Sequence, residues 1–237
     1  MTSSSDIATI TAKCPKLRRM LAPFLDALPI FPLYEVALFP NAMLPLYVFE
    51  PRYRELTAAC LERGGVMAIA ALRPGFRDEY YGRPPIRRTA GIGKIVAHRQ
   101  NPDGTYNILL RGLGRVRITA ELPQSESHLY REVKARLLLD RWPRSFDLGA
   151  ARSTLVALTD RLAALMPQGG DALRALSAAE PRPRRLCDML SAALVRPQKR
   201  RRKLLECRDF STRFDLLSTE LARLIAELQG GAASGTN

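Results

Sequence analysis

The sequence has no run of about 18 residues that is free of charged and chain-breaking residues, so we expect no membrane-spanning helix and no membrane partner. Its most apolar early stretch, residues 20–33, follows several basic residues and in that respect is like a secretory signal. Pro23, Asp26 and Pro29 interrupt the stretch, however, and no small-x-small cleavage site follows it. We therefore expect a soluble protein.

Cysteine is scarce, and the spacing of the cysteines does not match that of metal-binding or disulfide-rich proteins. The four cysteines, at positions 14, 60, 187 and 207, include no C-x-x-C pair and match no zinc-binding spacing, so we expect no metal site and no cofactor. Four cysteines in a chain of 237 residues do not make a disulfide scaffold either, which favours the reducing cytoplasm. Cys60 and Cys187 fall in apolar helical patterns and are expected in the core.

Patterns typical of an activated nucleophile are also missing. The two histidines, His98 and His128, are accompanied by no G-x-S-x-G elbow and no Ser-x-x-Lys pattern. The G-x-G pairs at 91–93 and 112–114 lack the rest of a phosphate-binding loop and open no helix, so they indicate glycines inside bent strands. Spacing alone leaves a two-residue Ser/Lys site open, but four of the six lysines lie in apparent tails or basic runs. We expect no catalytic residue, and an autonomous hydrolase is the third of three hypotheses.

The chain does have a large excess of positive charge, because 37 Lys and Arg against 23 Asp and Glu give +14. Such a chain is attracted to nucleic acid, anionic lipid or acidic protein. Bases are densest between Arg182 and Lys203, where Asp188 is the one acid. Successive bases can pair with phosphates. The same run also fits a solvated first turn of a helix, and it contains no aromatic residue that could stack on a base. The candidate polyanion-binding residues are Arg196, Lys199, Arg200, Arg201, Arg202 and Lys203.

The first half of the chain predicts a β-rich unit that begins β–β–α–β. Prolines favour an extended segment at Leu28–Leu33, which residues 36–39 continue. A second strand, Met43–Val48, runs into a helix that opens with Pro51 and stops at Gly64. The short links that follow predict a mostly antiparallel sandwich or small barrel. Further strands are expected at Val66–Leu72, 91–98, 106–113, 115–122 and 130–138, with a loop at 73–90 and a hairpin turn at 101–104.

Beyond residue 140 an apolar period of 3.6 residues predicts a helical unit. Asp171 is expected to cap the second helix and Asp209 or Ser211 the last one, which Gly230-Gly231 is expected to end. Helices are expected at 148–166, 171–179, Pro183–Leu194, Gln198–Glu206 and 209–228. The chain then divides into a partly disordered extension over 1–27, a β-rich unit over 28–140, a helical unit over 141–229 and a disordered tail over 230–237.

The segment over residues 44–56 joins an apolar strand directly to a helix. Glu50 is placed to cap that helix or to pair with Arg52 or Arg54. This corner is either purely structural or, together with the 73–90 loop, the edge of a binding surface.

This corner also carries a family resemblance. Leu28–Leu33, then residues 38–41, then 44–56 resemble the N-terminal substrate-binding domain of Lon proteases, and the chain is most similar to stand-alone bacterial proteins made of that domain. The match continues through residues 84–86, 91–95 and 103–112, and through 186–190 in the helical half. The resemblance implies an α+β fold, in which an N-terminal PUA-like pseudo-β-barrel is followed by a C-terminal helical bundle.

The resemblance further implies a non-catalytic recognition module that binds unfolded or exposed polypeptide segments, alone or with a separate protease or chaperone. The ATPase and Ser/Lys peptidase domains of Lon lie outside the part that is matched. The alternative is nucleic-acid binding by the barrel and the basic 196–203 run. The expected polypeptide-binding residues are Phe49, Glu50, Arg52, Tyr53, Phe76, Tyr80, Tyr81, Arg111 and Arg115.

Overall fold

The computed structural model describes residues 15–142 and 145–234, apart from the side chains of 78, 79 and 231–234. The chain forms two compact units, of which the first ends at Leu139 and the second begins at Asp140. The first unit holds helices α1 (Pro15–Leu21) and α2 (Pro51–Glu62) and strands β1 (Leu28–Leu33), β2 (Met43–Val48), β3 (Val66–Leu72), β4 (Ile86–Gln100), β5 (Tyr106–Glu121) and β6 (Arg131–Leu137). The second unit holds α3 (Leu148–Leu165), α4 (Gly170–Ala179), α5 (Pro183–Leu194), α6 (Gln198–Glu206) and α7 (Phe210–Ser234).

The strands of the first unit close into a barrel. Their order is β2-β5-β4-β3-β1-β6, and β6 pairs back to β5, so that five strands form the closed barrel and β2 extends it at β5. The β1–β3 pair is parallel and the others are antiparallel. The expected pseudo-barrel followed by helices is therefore confirmed. None of the described helices is both long enough and apolar enough to cross a membrane.

Two apolar clusters form the core of the barrel unit. One contains Leu28, Ile92 and Val116, and the other lies between the sheet and α2, where Leu56 and Cys60 are buried. Pro51 at the first position of α2 has no backbone N–H to leave unsatisfied, which suits the start of a helix. Gly64 and Gly65, both with positive φ, end it.

Residues 15–27, expected as part of an extension, pack on the barrel. Leu21 at the end of α1 is fully buried in the first cluster, and Leu17, Phe24 and Leu25 pack against that cluster. The backbone N–H of Ala135 in β6 donates to the carbonyl of Leu25 at 2.8 Å. The remainder of the expected extension, residues 1–14, lies outside the described residues.

Residues 36–39 do not continue β1 as we expected; they cross over the sheet outside any strand. A Cβ on Gly91 would lie 2.0 Å from the carbonyl oxygen of Leu38, and one on Gly112 would lie 1.9 Å from that of Phe39. The G-x-G glycines therefore lie inside strands, as expected. Glycine is needed at 91 and 112 because the backbone of residues 38 and 39 crosses the sheet in direct contact with these two positions. If residues 36–39 paired as a strand beside β1, they could not make this crossing.

The long β4–β5 hairpin differs from the expected strands in its lengths. β4 begins at Ile86, within the expected loop, and β5 runs from Tyr106 to Glu121 as one strand where two were expected. The register shifts between Gly112 and Gly114, opposite Gly93 and Ile92, which agrees with the expectation of glycines inside bent strands. Shifts in register absorb the distortion within the continuous strands. The turn at 101–104 is confirmed, since Gly104 has a φ of 78° and the N–H of Asn101 donates to the Thr105 carbonyl at 2.8 Å.

The helical unit has a buried ionic centre that the sequence did not indicate. Arg213 is fully buried and donates to both oxygens of Asp140, at 2.9 and 3.0 Å. Its Nε lies 3.5 Å from Asp188, which is also fully buried. Burial alone would lower the pKa of Arg213, but the two carboxylates outweigh it and raise that pKa. Removing one member would leave buried charge uncompensated, so this centre fixes how the helices meet.

Two helix ends in this unit differ from expectation. Gly169 with positive φ precedes α4 as its N-cap, so that Asp171 lies inside the first turn and does not cap it. At the other end of the unit α7 continues through Gly230 and Gly231 to Ser234. Glycine can adopt helical backbone angles at a cost of about 1 kcal/mol each, which neighbouring turns can offset. Asp209, as expected, caps α7, because its carboxylate accepts from the N–H of Thr212 at 2.9 Å.

Candidate functional site

The start of α2 is built around Glu50, Arg52 and Tyr80. The Glu50 backbone is extended at the N-cap, but its side chain does not cap the helix. Its carboxylate instead accepts from Arg52 Nε at 3.1 Å and from the Tyr80 hydroxyl at 2.6 Å. Arg52 Nη1 donates in turn to the Tyr80 carbonyl at 3.1 Å. Of the roles expected for Glu50, the pairing with Arg52 is the one observed, and it ties the loop after β3 to the helix.

The phenols at this corner are neutral side chains. The hydrogen bond to Glu50 is the main reason that the pKa of Tyr80 is raised. Burial raises the pKa of Tyr53 to about 12, and its ring stacks on Phe31 with 4.1 Å between centroids. The Arg52 guanidinium lies over the Tyr53 ring at 4.6 Å and over Tyr80 at 5.2 Å. Such an arrangement supplies ring faces and a hydrogen-bond donor, which serve binding.

An open groove of about 450 Å³ lies beside this corner, lined by residues 50–53, 81–83, 124 and 129–131. We call it the α2 groove. Its apolar walls are unusually accessible, since Tyr81 is 90% exposed and Leu129 is 60% exposed. Exposed apolar side chains that line one groove are typical of an interaction site, whereas such residues scattered singly over a surface are not.

Two arginines that sequence reasoning missed hold the far walls of the α2 groove in place. Arg83 donates to the Leu122 carbonyl at 2.7 Å. Arg131 donates to the Pro84 carbonyl at 2.8 Å and also pairs with Glu121. The sequence contained one signal for this wall, because Leu129 is an apolar residue that directly follows the polar segment 124–128.

The expected polypeptide-binding residues divide between two places. Glu50, Arg52, Tyr53 and Tyr81 line the α2 groove, with Tyr53 as its buried floor. Phe76 and Tyr80 do not line the groove but support Tyr81. The rings of Tyr34, Phe76, Tyr80 and Tyr81 are each in contact with the next in this order. The expected residues that lie elsewhere are Phe49, Arg111 and Arg115.

These three residues do not join the groove. Phe49 is 60% exposed and its ring lies 6.0 Å from that of Tyr47. Arg111 is exposed on β5, opposite Met43 of β2. Arg115 was expected to contact a ligand, but it is buried at 4% exposure. At Arg115, strand β5 is hydrogen-bonded on both sides. Gly91 of β4 is its register partner on one side, and on the other the N–H of Leu138 donates to the Arg115 carbonyl.

Part of the basic 196–203 run is used within the protein. Arg201 is half-buried and donates to the carbonyls of Ala192 and Val195, at 3.1 and 2.8 Å, which satisfies the end of α5. Arg200 pairs with Glu220 of α7 at 2.7 Å. Arg196, Lys199 and Lys203 are exposed and Arg202 is half-exposed, so polyanion binding by the run stays a prediction that rests on fewer cations.

Cysteine and histidine side chains are among the candidate metal ligands and nucleophiles within the described residues. No group of three metal-ligating side chains is found there. The Cys60 thiol donates to the Val66 carbonyl at 3.4 Å, and burial raises its pKa to about 12, which keeps it protonated. His98 is exposed, and His128 stacks on Tyr130 at 4.0 Å. The expected core positions of Cys60 and Cys187 are confirmed.

Comparison with known proteins converges on one family. The sequence model of the ATP-dependent protease La (LON) substrate-binding domain matches residues 27–223. The "Lon protease" of Dictyoglomus thermophilum is 23% identical over 204 residues, which are 86% of this chain and 25% of that protein. "Lon protease 2" of Syntrophobacter fumaroxidans is 30% identical over 110 residues, 46% of this chain and 14% of that one. The chain thus spans about a quarter, or less, of the length of these relatives.

Solved structures agree with the fold. The N-terminal domain of the Mycobacterium avium complex Lon protease has a TM-score of 0.62 at 18% identity and covers 83% of this chain and 98% of its own. A Lon N-terminal domain protein from Xanthomonas campestris has a TM-score of 0.55 at 21% identity, with 84% and 97% covered. At these identities the likeness establishes the fold alone.

Proposed function

This chain belongs to the ATP-dependent protease La (LON) substrate-binding domain family, and from that membership we propose that it binds unfolded or exposed segments of polypeptide. The observation that carries the proposal is the α2 groove with Tyr81 and Leu129 presented to solvent. An extended chain that places an apolar side chain between them would remove apolar surface from water, which is the main source of affinity in such contacts.

The charges around the groove favour recognition with little dependence on salt. Arg52 is paired with Glu50, while Arg83 and Arg131 share Glu121. Paired charges offer donors that orient a peptide without a strong net attraction for one sign of charge. Binding that rests on apolar contact is weakened little by ionic screening.

The role that we propose is recognition and not catalysis. The groove offers phenol rings and paired arginines, which can stack on a ligand and donate hydrogen bonds to it. The relatives are named Lon proteases, and we propose that a bound polypeptide passes to a separate protease or chaperone.

Replacing both exposed walls tests this assignment. We expect Tyr81→Ala combined with Leu129→Ala to raise the Kd for labelled unfolded casein about tenfold, because each truncation removes apolar contact area. Fluorescence anisotropy at two salt concentrations gives the Kd and its salt dependence.

The matched control is Met20→Ala combined with Leu148→Ala, which truncates two large apolar side chains at exposed positions outside the groove. We expect it to bind casein like the unchanged protein. If the control loses affinity and the groove variant does not, the α2 groove is the wrong site. If casein binding disappears at moderate salt, apolar capture is the wrong mechanism.

A further inference from the structure

The barrel has a second exposed surface that the proposed polypeptide groove does not use. Strands β2, β5 and β4 lie side by side, and residues that are opposite in register point to the same face. One face is covered by α2, with Leu44, Ile95 and Leu110 in its core. The outer sheet face is formed by the residues that point the other way within 43–47, 94–99 and 107–111.

Two aromatic rings are exposed at the outer sheet face: Tyr47 lies on it, and Phe49 lies beside Tyr47, just past the end of β2. Tyr47 is 55% exposed and Phe49 is 60% exposed, and their rings are inclined by 30° with 6.0 Å between centroids. Asn107, with an exposed side chain, is the register partner of Tyr47 on β5. Two adjacent rings and an amide on a sheet provide stacking surfaces and a hydrogen-bonding group for flat, polar rings.

The charge on the outer sheet face has one sign. Lys94 and Arg111 are exposed and directly opposite each other in the β4–β5 register, and Arg99 is exposed opposite Asn107. Like charges directly opposite destabilise a sheet. Within the described residues none of these three cations has an acidic partner, and the outward positions of the face carry no acidic residue. The face therefore gains most from a ligand that brings negative charge.

The cations and rings are arranged in sequence along the strands. The Lys94–Arg111 pair and the Arg99–Asn107 pair are about four residues apart on β5, which corresponds to roughly 13 Å. Tyr47 lies in the row of Arg99 and Asn107, and Phe49 lies beside Tyr47. A ligand that alternates negative groups with flat rings would match this order.

We propose that the outer sheet face binds single-stranded nucleic acid, with bases stacked on Tyr47 and Phe49 and phosphates paired with Lys94, Arg99 and Arg111. Unpaired bases offer their ring faces, which a duplex keeps within its own stack. An added β-strand of peptide is a poorer fit, because Pro45 in the edge strand β2 has no N–H to donate. The site is separate from the basic 196–203 run, which contains no aromatic residue.

Fluorescence anisotropy with a labelled 12-nucleotide oligo-U, the matching oligo-dT and a duplex of equal length tests the proposal. We expect both single strands to bind more tightly than the duplex, and a difference between them would report on the 2′-hydroxyl. Tyr47→Ala with Phe49→Ala should weaken single-strand binding about tenfold or more. Lys94→Glu with Arg111→Glu should abolish most of the remaining affinity, while Lys94→Ala with Arg111→Ala should reduce the salt slope by about 1.4.

Two further variants make the same change of charge elsewhere. Lys134→Glu with Arg136→Glu alters exposed positions on β6 and should change the affinity by less than about threefold. Lys199→Glu with Arg202→Glu alters the basic run and should likewise change the affinity by less than about threefold. All substitutions are at exposed or half-exposed positions, and circular-dichroism melting would verify that each variant folds.

Several results would overturn the proposal. They are equal binding of duplex and single strand, an equal loss in the Lys199/Arg202 variant, and no oligonucleotide binding at low salt. Face-dependent binding of an acidic apolar peptide with no binding of oligonucleotides would also overturn it, since the occupant would then be protein.

Discussion

Gly112 has a hydrogen atom where alanine would place a methyl group 1.9 Å from the carbonyl oxygen of Phe39. Backbone atoms cannot move away as the end of a flexible side chain can, so the crossing segment or β5 would have to shift. We expect Gly112→Ala to lower the free energy of unfolding by about 3 kcal/mol, as other overpacked sites do. Urea denaturation would measure the change.

Gly114 is the matched control, because it lies two residues along the same strand and an added Cβ would meet its nearest atom at 3.6 Å. We expect Gly114→Ala to change stability by less than about 1 kcal/mol. Equal effects of the two substitutions would show that strand propensity, and not the crossing, sets the need for glycine.

At this scale the sequence predicts burial better than it predicts direction. Apolar periodicity was enough to place Cys60 and Cys187 in the core. It gave no means of knowing that Tyr53 forms a floor and that Arg115 is enclosed. Those outcomes depend on which face of a strand or helix meets a partner distant in the chain.

Helix α1 shows how an element can belong to a core that its sequence position does not suggest. It precedes the part of the chain that matches the family, residues 27–223, and yet Leu21 is fully buried in the barrel cluster. We expect Leu21→Ala to destabilise the barrel by about 3 kcal/mol, through lost burial and the cavity that it leaves. Met20, its neighbour in the helix, is 45% exposed, and Met20→Ala should cost less than about 0.5 kcal/mol.

Chemical denaturation of the two variants would separate packing from helix propensity. Both replace a long side chain by alanine in the same short helix, so a loss of similar size in both would show that α1 contributes only as a helix. A loss confined to Leu21→Ala would make α1 a structural part of the barrel.

Element bounds were predictable where a local signal fixed them. Pro51 and Pro183 open α2 and α5, and Asp209 caps α7, as expected. The strand expected at 36–39 and the helix end expected at Gly230 were wrong. Both depend on contacts with parts of the chain that are distant in sequence, which a local pattern does not contain. The α2 groove was only half predictable for the same reason. Its helix side lies in one continuous stretch, while Arg83, Leu129 and Arg131 come from segments that only the closed barrel brings together.

The whole molecule carries +14, and its internal pairing leaves many cations in contact with solvent. Arg117 and Arg136 are opposite each other in the β5–β6 register and are both exposed, like Lys94 and Arg111 between β4 and β5. Net charge of one sign opposes the compact state through self-repulsion. The exposed ion pairs that act the other way contribute only about 0–1 kcal/mol each.

We therefore expect added salt to stabilise this protein. Between about 10 and 150 mM NaCl the screening length falls from about 30 to 8 Å, and the Tm should rise by a few degrees because repulsion weakens more than local pairing does. Lys134→Glu with Arg136→Glu reduces the net charge and places a carboxylate opposite Arg117, so its Tm should start higher and rise less. A Tm that falls with salt in the unchanged protein would mean that attractive pairs dominate. The excess of positive charge would then not destabilise the folded state. The unfavourable pairing of Lys94 with Arg111 would in that case be a weaker reason to expect an anionic ligand.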